Sequence, residues 1–380
     1  MFLFTKLNLQ RFGFLKKFNF PERLGLPDVT VIDDSYSNEL FRTRNWRKSL
    51  FIAVLISLCS GSLFAQKGYH RSQKIELKKG WNAVYLEVDP EDPDPGQFVK
   101  GTPIDIVATL FVRRSTAQFS SDPEANLLRE EGWAVWYAET RPDSFLSDLA
   151  AVSGGRAYLI HSVSDFILNV EAPSSTWSNV SWKSNSYNFV GFSVKDRAGP
   201  TFKQFFDPSK SHRDSSIYRL KDGKWVRVEE KSSESIRSGE AFWIYCKGSS
   251  KYGGPLEVST GSSYQGMVIG TGGGNFTLRN LTDHPVSTSL SQIVPSGKGQ
   301  PMDFALRVLD GPEDPIRTEP IAFPSGNWEK DLLVLEPEQA ITVPFIPRTR
   351  EMSEPIHRSL FRVDTDLGTV HWIRVTSFRE

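Results

Sequence analysis

A chain of 380 residues, 39% hydrophobic and 24% charged, is long enough for two or three domains of roughly 100 to 200 residues, each with its own core. Lysine plus arginine and aspartate plus glutamate number 45 each, so the chain lacks the basic excess of a nucleic-acid binder and no nucleic-acid partner is expected.

The first recognisable element is an export signal. Arg42, Arg44, Arg47 and Lys48 precede an apolar run from Leu50 to Leu58, and small residues follow, ending in Leu63-Phe64-Ala65 before Gln66. This order predicts cleavage of the Ala65/Gln66 bond, with 1–65 a discarded leader and signal peptide. It places the mature protein outside the cytoplasm: secreted, periplasmic or at the cell surface. Ser49 to Ala65 is shorter than the roughly 20 apolar residues of a membrane helix, so no permanent membrane anchor is expected. The 41 residues ahead of Arg42 exceed an ordinary signal of about 15 to 30 residues. Met1 to Phe20 interleaves Phe and Leu with basic residues, but Pro21, Gly25 and Pro27 break any continuous element. Without 1–65 the chain keeps 36 basic and 40 acidic residues, a net charge of about −4. Cys59 leaves with the signal, so Cys246 stands alone, no intramolecular disulfide forms, and its neighbours Trp243-Ile244-Tyr245 predict a half-buried strand thiol.

After Gln66 the chain reads as short alternating runs broken by Gly, Pro, Asp and Ser, an all-β pattern; the clearest helical stretches, Ala125 to Glu131 and Phe145 to Val152, are brief. Three motifs recur in the same order. Gly80-Trp81-Asn82-Ala83-Val84-Tyr85-Leu86 matches Ser186-Tyr187-Asn188-Phe189-Val190-Gly191-Phe192. Gly132-Trp133-Ala134-Val135 matches Gly223-Lys224-Trp225-Val226, and Gly155-Arg156-Ala157-Tyr158-Leu159-Ile160 matches Gly239-Glu240-Ala241-Phe242-Trp243-Ile244. These predict two related β modules, 66–172 and 173–260, the second a diverged repeat of the first. Alternation puts Val84, Leu86 and Val88 on a core face with Asn82, and Trp81, Tyr85 and Glu87 on the other. The shared Asn is expected to tie down the preceding turn, and Gly155 and Gly239 to occupy turns with positive φ.

Glu87, Asp89, Asp92 and Asp94 form an acidic stretch among prolines, with the oxygen-rich chemistry that Ca²⁺ takes. An EF-hand register from Asp92 fails at Pro103, and a stiff solvated loop is the competing reading. No other cofactor is indicated. The tryptophan content carries the other functional reading: exposed indoles stack on sugars, although large aromatics also fill cores. Trp81, Tyr85, Trp177 and Trp182 are the candidate ligand-binding residues, Trp81 and Tyr85 by parity, the other two because their neighbourhood is rich in Ser and Asn.

Residues 261–274 read as a glycine-rich linker. From 275 to 380 seven strand-like runs predict an immunoglobulin-like β-sandwich: Phe276 to Leu281, Val286 to Val294, Phe304 to Leu309, Asp331 to Leu335, Ile341 to Ile346, Leu360 to Val363 and Thr369 to Thr376. The Gly-Trp-Asn strand with its two following motifs resembles modules of exported proteins of environmental bacteria. The ending, Leu335-Glu336-Pro337-Glu338-Gln339 with Gly368-Thr369 and Trp372-Ile373-Arg374-Val375, is similar to the last strands of bacterial immunoglobulin-like accessory domains. The resemblance implies a secreted β scaffold and transfers no catalytic residue.

The remaining chemistry is sparse. The third glycine of G-x-G-x-x-G, counted from Gly270 and Gly272, falls on Asn275, and no G-x-S-x-G elbow or H-E-x-x-H spacing occurs. His161 and His212 are the histidines that distant carboxylates would have to join in a hydrolytic site. The sequence therefore predicts an exported, non-catalytic β-rich protein that binds or organises a polysaccharide or a cell-surface protein; an extracellular glycan hydrolase or lyase is the alternative.

Overall fold

A computed structural model describes residues 67–111, 132–175, 180–261, 266–270, 273–293, 302–306, 317–320, 328–352 and 354–379, and the counts below refer to these. The chain is all-β, with two short helices, Pro95–Phe98 and Phe202–Phe206. The helical expectation at Ala125 to Glu131 lies outside the described residues. That at Phe145 to Val152 is not met: Ser144–Leu146 forms one 3-10 turn, after which residues 147–153 form no regular element.

The first part holds β1 (His70–Leu77), β2 (Gly80–Leu86), β3 (Ile104–Leu110), β4 (Trp133–Tyr137), β5 (Arg156–Ser162) and β6 (Phe166–Pro173). Four of them form a sheet in the order β2-β5-β3-β4, while β1 and β6 pair separately. The alternation of β1 points Gln73, Ile75 and Leu77 inward and Lys74 and Glu76 out, and β6 does the same with Leu168, Val170 and Ala172. The β1–β6 pair therefore covers one face of the sheet, burying Val84, Leu86 and Val88 beneath it.

The second part holds β7 (Ser186–Gly191), β8 (Ile217–Lys221), β9 (Lys224–Arg227) and β10 (Ala241–Cys246), in the sheet order β7-β10-β8-β9. In both sheets the fourth strand in sequence lies between the first and the second, and each sheet has a short helix between its first two strands. The three motif pairs fall on equivalent strands. Asn82 Nδ2 donates to the Lys78 carbonyl at 2.8 Å and its Oδ1 accepts from the Lys78 amide at 2.9 Å; Asn188 repeats this on Lys183 at 3.1 and 2.7 Å. Gly155 and Gly239 sit at φ 71° and 73° just before β5 and β10, a conformation that disfavours a side chain. Asp222 and Gly223, both at positive φ, make the two-residue turn of the β8–β9 hairpin.

The third part is a sandwich of two five-stranded sheets around Phe276, Leu290, Phe345, Phe361 and Ile373. One sheet runs β11 (Leu256–Ser259), β13 (Gly274–Asn280), β18 (Ala340–Pro347), β15 (Met302–Leu306), β16 (Arg317–Pro320). The other runs β12 (Met267–Ile269), β20 (Val370–Phe378), β19 (Ile356–Thr365), β14 (Val286–Ile293), β17 (Trp328–Leu335). All seven expected runs overlap strands here. The boundary differs: β11 pairs with β13, so the sandwich begins at Leu256 and not at 275. The expected linker contributes β12, which adds in parallel to β20 through Met267 and Ile269, two buried side chains that a free linker would leave in water. The β19–β20 end docks on the second module through Val370 N to the Ser193 carbonyl, 3.1 Å, and Lys195 N to the Gly368 carbonyl, 2.9 Å.

Candidate functional site

The alternation of β2 is as expected, but both of its faces are covered. The face of Trp81, Ala83 and Tyr85 packs on the second module's sheet, where Phe189, Trp243 and Ala241 meet Leu159, Val135 and Trp133. Tyr85 is 9% exposed. It lies over Gly191, whose absent side chain leaves the space: a Cβ there would overlap Tyr85 Cβ. Tyr85 and Gly191 occupy equivalent positions of the two matched strands, one the knob and the other the hole. Burial, and after it the charge of Glu87, pushes the Tyr85 phenol up. As an exposed ligand contact Tyr85 is thus corrected to core.

Trp182 is corrected in the same way. It is buried, its Nε1 donates to the Tyr252 carbonyl at 2.7 Å, and its ring lies 4.0 Å from that of His212. His212 is itself fully buried, hydrogen-bonded through Nδ1 to Ser209 at 2.6 Å, and burial brings its pKa down to about 4. Cys246 is buried rather than half-buried, and burial pushes its thiol up. Trp177 lies outside the described residues.

The acidic stretch is dispersed, each of its four side chains having its own partners. Glu87 is buried and pairs with Arg71 at 2.8 Å and Ser238 at 3.2 Å. Asp89 pairs with Arg374 of the sandwich at 2.7 Å and accepts from the Gly154 amide at 2.9 Å. Asp92 accepts from the Asp94 amide, and Asp94 caps the helix Pro95–Phe98 by accepting from Gln97 N at 2.9 Å. The four therefore do not converge, and among the described residues no group of three His, Cys, Asp or Glu side chains is placed to hold a metal ion.

Trp81 stays at the margin of the interface, half-buried, and it does not stand alone. Its cross-strand neighbour is His161 of β5, with ring centroids 5.2 Å apart at 66°. His161 Nδ1 lies 2.5 Å from Asp105 Oδ1. Asp105 falls where the β3–β5 register slips between Ile104 and Ile106, so a bulge aims its carboxylate at the imidazole. Its other oxygen accepts from Arg141 Nη1 at 2.8 Å, and Arg141 also grips Asp143 with two hydrogen bonds of 2.9 and 3.0 Å. That grip holds Asp143 below the usual carboxylate range. Two residues on, Phe145 is 81% exposed beside Leu146. The 3-10 turn carrying them is anchored to the edge strand β4 by Val135 N to Asp148 Oδ1, 2.7 Å, and Tyr137 N to Ser147 Oγ, 2.9 Å. A chain of contacts thus runs from the half-buried Trp81 through His161, Asp105 and Arg141 to Asp143, two residues before the exposed Phe145. No hydroxyl or thiol among the described residues hydrogen-bonds to His161, so the pair lacks the nucleophile of a hydrolytic triad. Sequence reasoning marked Trp81 and His161 separately; Asp105, Arg141 and Phe145 carried no motif.

No protein-family model matches this chain, and no curated protein matches it. Among solved structures the chain is similar to the ASH / PapD-like domain of human CEP192 (PapD-like domain 7), at 11% identity and a TM-score of 0.19, over 33% of this chain and 85% of that one. No helix among the described residues is long and apolar enough to cross a membrane.

Proposed function

We propose that the protein is exported, that its two N-terminal modules are a diverged duplication packed as a pair, and that it is a non-catalytic binder of polysaccharide through the surface around Trp81. The observation that supports binding is the bulge-directed network Asp105–His161–Arg141 next to Trp81 and the exposed Phe145. Polar side chains held in fixed geometry beside aromatic faces recognise hydroxyl-rich rings, and a ligand meets little ordering cost on a rigid sheet edge. The identical strand order and matched Asn and Gly positions support duplication.

The alternative of a glycan hydrolase finds less support. Glu240, a carboxyl whose pKa burial raises, is locked by two hydrogen bonds to the buried Arg219 and is not free to act as a general acid.

The test is affinity electrophoresis of the secreted protein and of Trp81→Ala through gels containing plant, algal or mucin glycans. Retardation by at least one glycan, lost in a Trp81→Ala variant that remains folded by circular dichroism, is the expected result. Release of reducing ends moves the function to the alternative, and no retardation by any glycan rejects this surface as the site.

A further inference from the structure

The matched strands of the two modules carry an aromatic pair at the same place. Trp81 of β2 matches Tyr187 of β7, and His161, next after the matched Ile160, corresponds to Tyr245 of β10, next after Ile244. Both pairs are cross-strand neighbours, and their rings meet alike: centroids 5.2 Å apart at 66° in module one and 5.2 Å apart at 70° in module two. Tyr218 of β8 adds a third ring, 5.9 Å from that of Tyr187 at 67°, and the two phenols share a side-chain hydrogen bond.

Alternation sets these three rings on the face of module two that packs against module one, in line with Phe189 and Trp243. The cover thins toward them. Tyr85 lies over Gly191, Trp133 of the edge strand β4 meets Phe189 and Trp243, and one pleat further along β7 and β10 Tyr187 and Tyr245 are only half-buried, as Trp81 is. The three phenols therefore lie at the margin of the interface and not in its core. A ring that is apolar in its body and polar at its tip suits a surface that is dry on one side and wet on the other, and a phenol both donates and accepts a hydrogen bond. The charged side chains whose fields reach Tyr218 are Arg227 and Glu229, opposite in sign and 3.8 Å apart, so between them they favour neither an anionic nor a cationic ligand.

We infer that module two carries a second sugar-binding surface, formed by Tyr187, Tyr218 and Tyr245, which takes a neutral stretch of the same polysaccharide as the Trp81 surface and makes the protein bivalent. The inference rests on the reading that the Trp81 surface binds polysaccharide. A repeating polymer offers the same ring many times, so two like surfaces need only one kind of ligand. Two weak sites joined in one protein hold such a polymer about 10² to 10⁴ times more tightly than one site does when the polymer spans both, and losing either site returns the affinity to that of the other alone.

The experiment adds Tyr245→Ala to the affinity electrophoresis in plant, algal and mucin glycan gels. A folded Tyr245→Ala variant whose apparent Kd for the retarding glycan rises at least about tenfold, as that of Trp81→Ala does, is expected. Weakening in Trp81→Ala with an unchanged Kd in Tyr245→Ala overturns the second surface and leaves the first standing; no retardation of the unaltered protein rejects both. Should Tyr245→Ala fail to fold, equilibrium dialysis of the unaltered protein and of Trp81→Ala against short fragments of the retarding glycan counts the sites directly. Two equivalents for the unaltered protein and one for Trp81→Ala support the inference, and one and none overturn it.

Discussion

Tyr85 and Gly191 form the contact on which the pairing of the two modules depends most directly. Truncating a buried aromatic removes its transfer energy and leaves a cavity, so Tyr85→Ala is expected to cost about 3 kcal/mol in urea denaturation, with Trp81→Ala costing clearly less because its ring is only half-buried. Gly191→Ala adds a methyl group where Tyr85 already stands. It should destabilise by about 1 to 3 kcal/mol or more, and the double variant Gly191→Ala with Tyr85→Ala should recover part of that loss. His212 gives the fold an acid sensitivity of known sign. Its folded pKa is about 4 against 6.5 in an unfolded chain, so below 6.5 the unfolded state binds the proton that the folded state refuses. Stability contributed by the neutral imidazole is complete above pH 6.5 and falls by about 1.4 kcal/mol per pH unit down to about pH 4. Urea midpoints at pH 7, 6 and 5 should therefore fall less steeply for His212→Gln than for the unaltered protein.

At the scale of the element, the two asparagines that open β2 and β7 make the same hydrogen bonds in unequal surroundings. Asn188 is fully buried and Asn82 is not, so Asn188→Ala strands backbone groups that are less open to water than those around Asn82. It should cost about 2 kcal/mol against about 1 kcal/mol for Asn82→Ala, measured by chemical denaturation. The pairing of these residues, the turns at Gly155 and Gly239, and the seven sandwich strands were legible in sequence because each is a local rule: a side chain that bonds its own turn, a backbone angle that disfavours Cβ, an alternation of period two. What covers a strand is not local. The alternation of β2 separates Tyr85 from Val84 but says nothing about whether a second sheet lies over Tyr85. The clue that was present, a large ring in one copy opposite a glycine at the same place in the other, becomes meaningful only if the copies face each other. β11 and β12 were missed for a related reason: each is short, and each is a strand only because β13 or β20 supplies its hydrogen bonds. Asp105 reaches His161 through a bulge, a register slip that no residue pattern announces.

For the molecule as a whole, the three parts interlock too closely to melt independently. Tyr85 N donates to the Gly239 carbonyl, Ser238 to Glu87, Arg374 to Asp89 and to the Ser174 carbonyl, and the β19–β20 end joins the segment 193–195 just after β7. A single unfolding transition in calorimetry is expected, and Arg374→Ala, which removes the bonds from β20 to Asp89 and to the Ser174 carbonyl, should broaden or split it. The segment Lys67–Tyr69, ahead of β1, lies against β19, the Tyr69 hydroxyl bonds Thr376 of β20, and Arg374 lies 5.8 Å over the Tyr69 ring. The earliest and the latest residues of the described fold are thus neighbours in space. A chain emerging from a ribosome or a translocation channel delivers Tyr69 about 300 residues before Thr376, so this clasp closes only once Thr376 has emerged, and until then its surfaces are open to chaperones and proteases. Joining Lys67 to Arg379 by a short linker and reopening the chain at an exposed turn would place Tyr69 and Thr376 close in sequence and bring that contact forward in time.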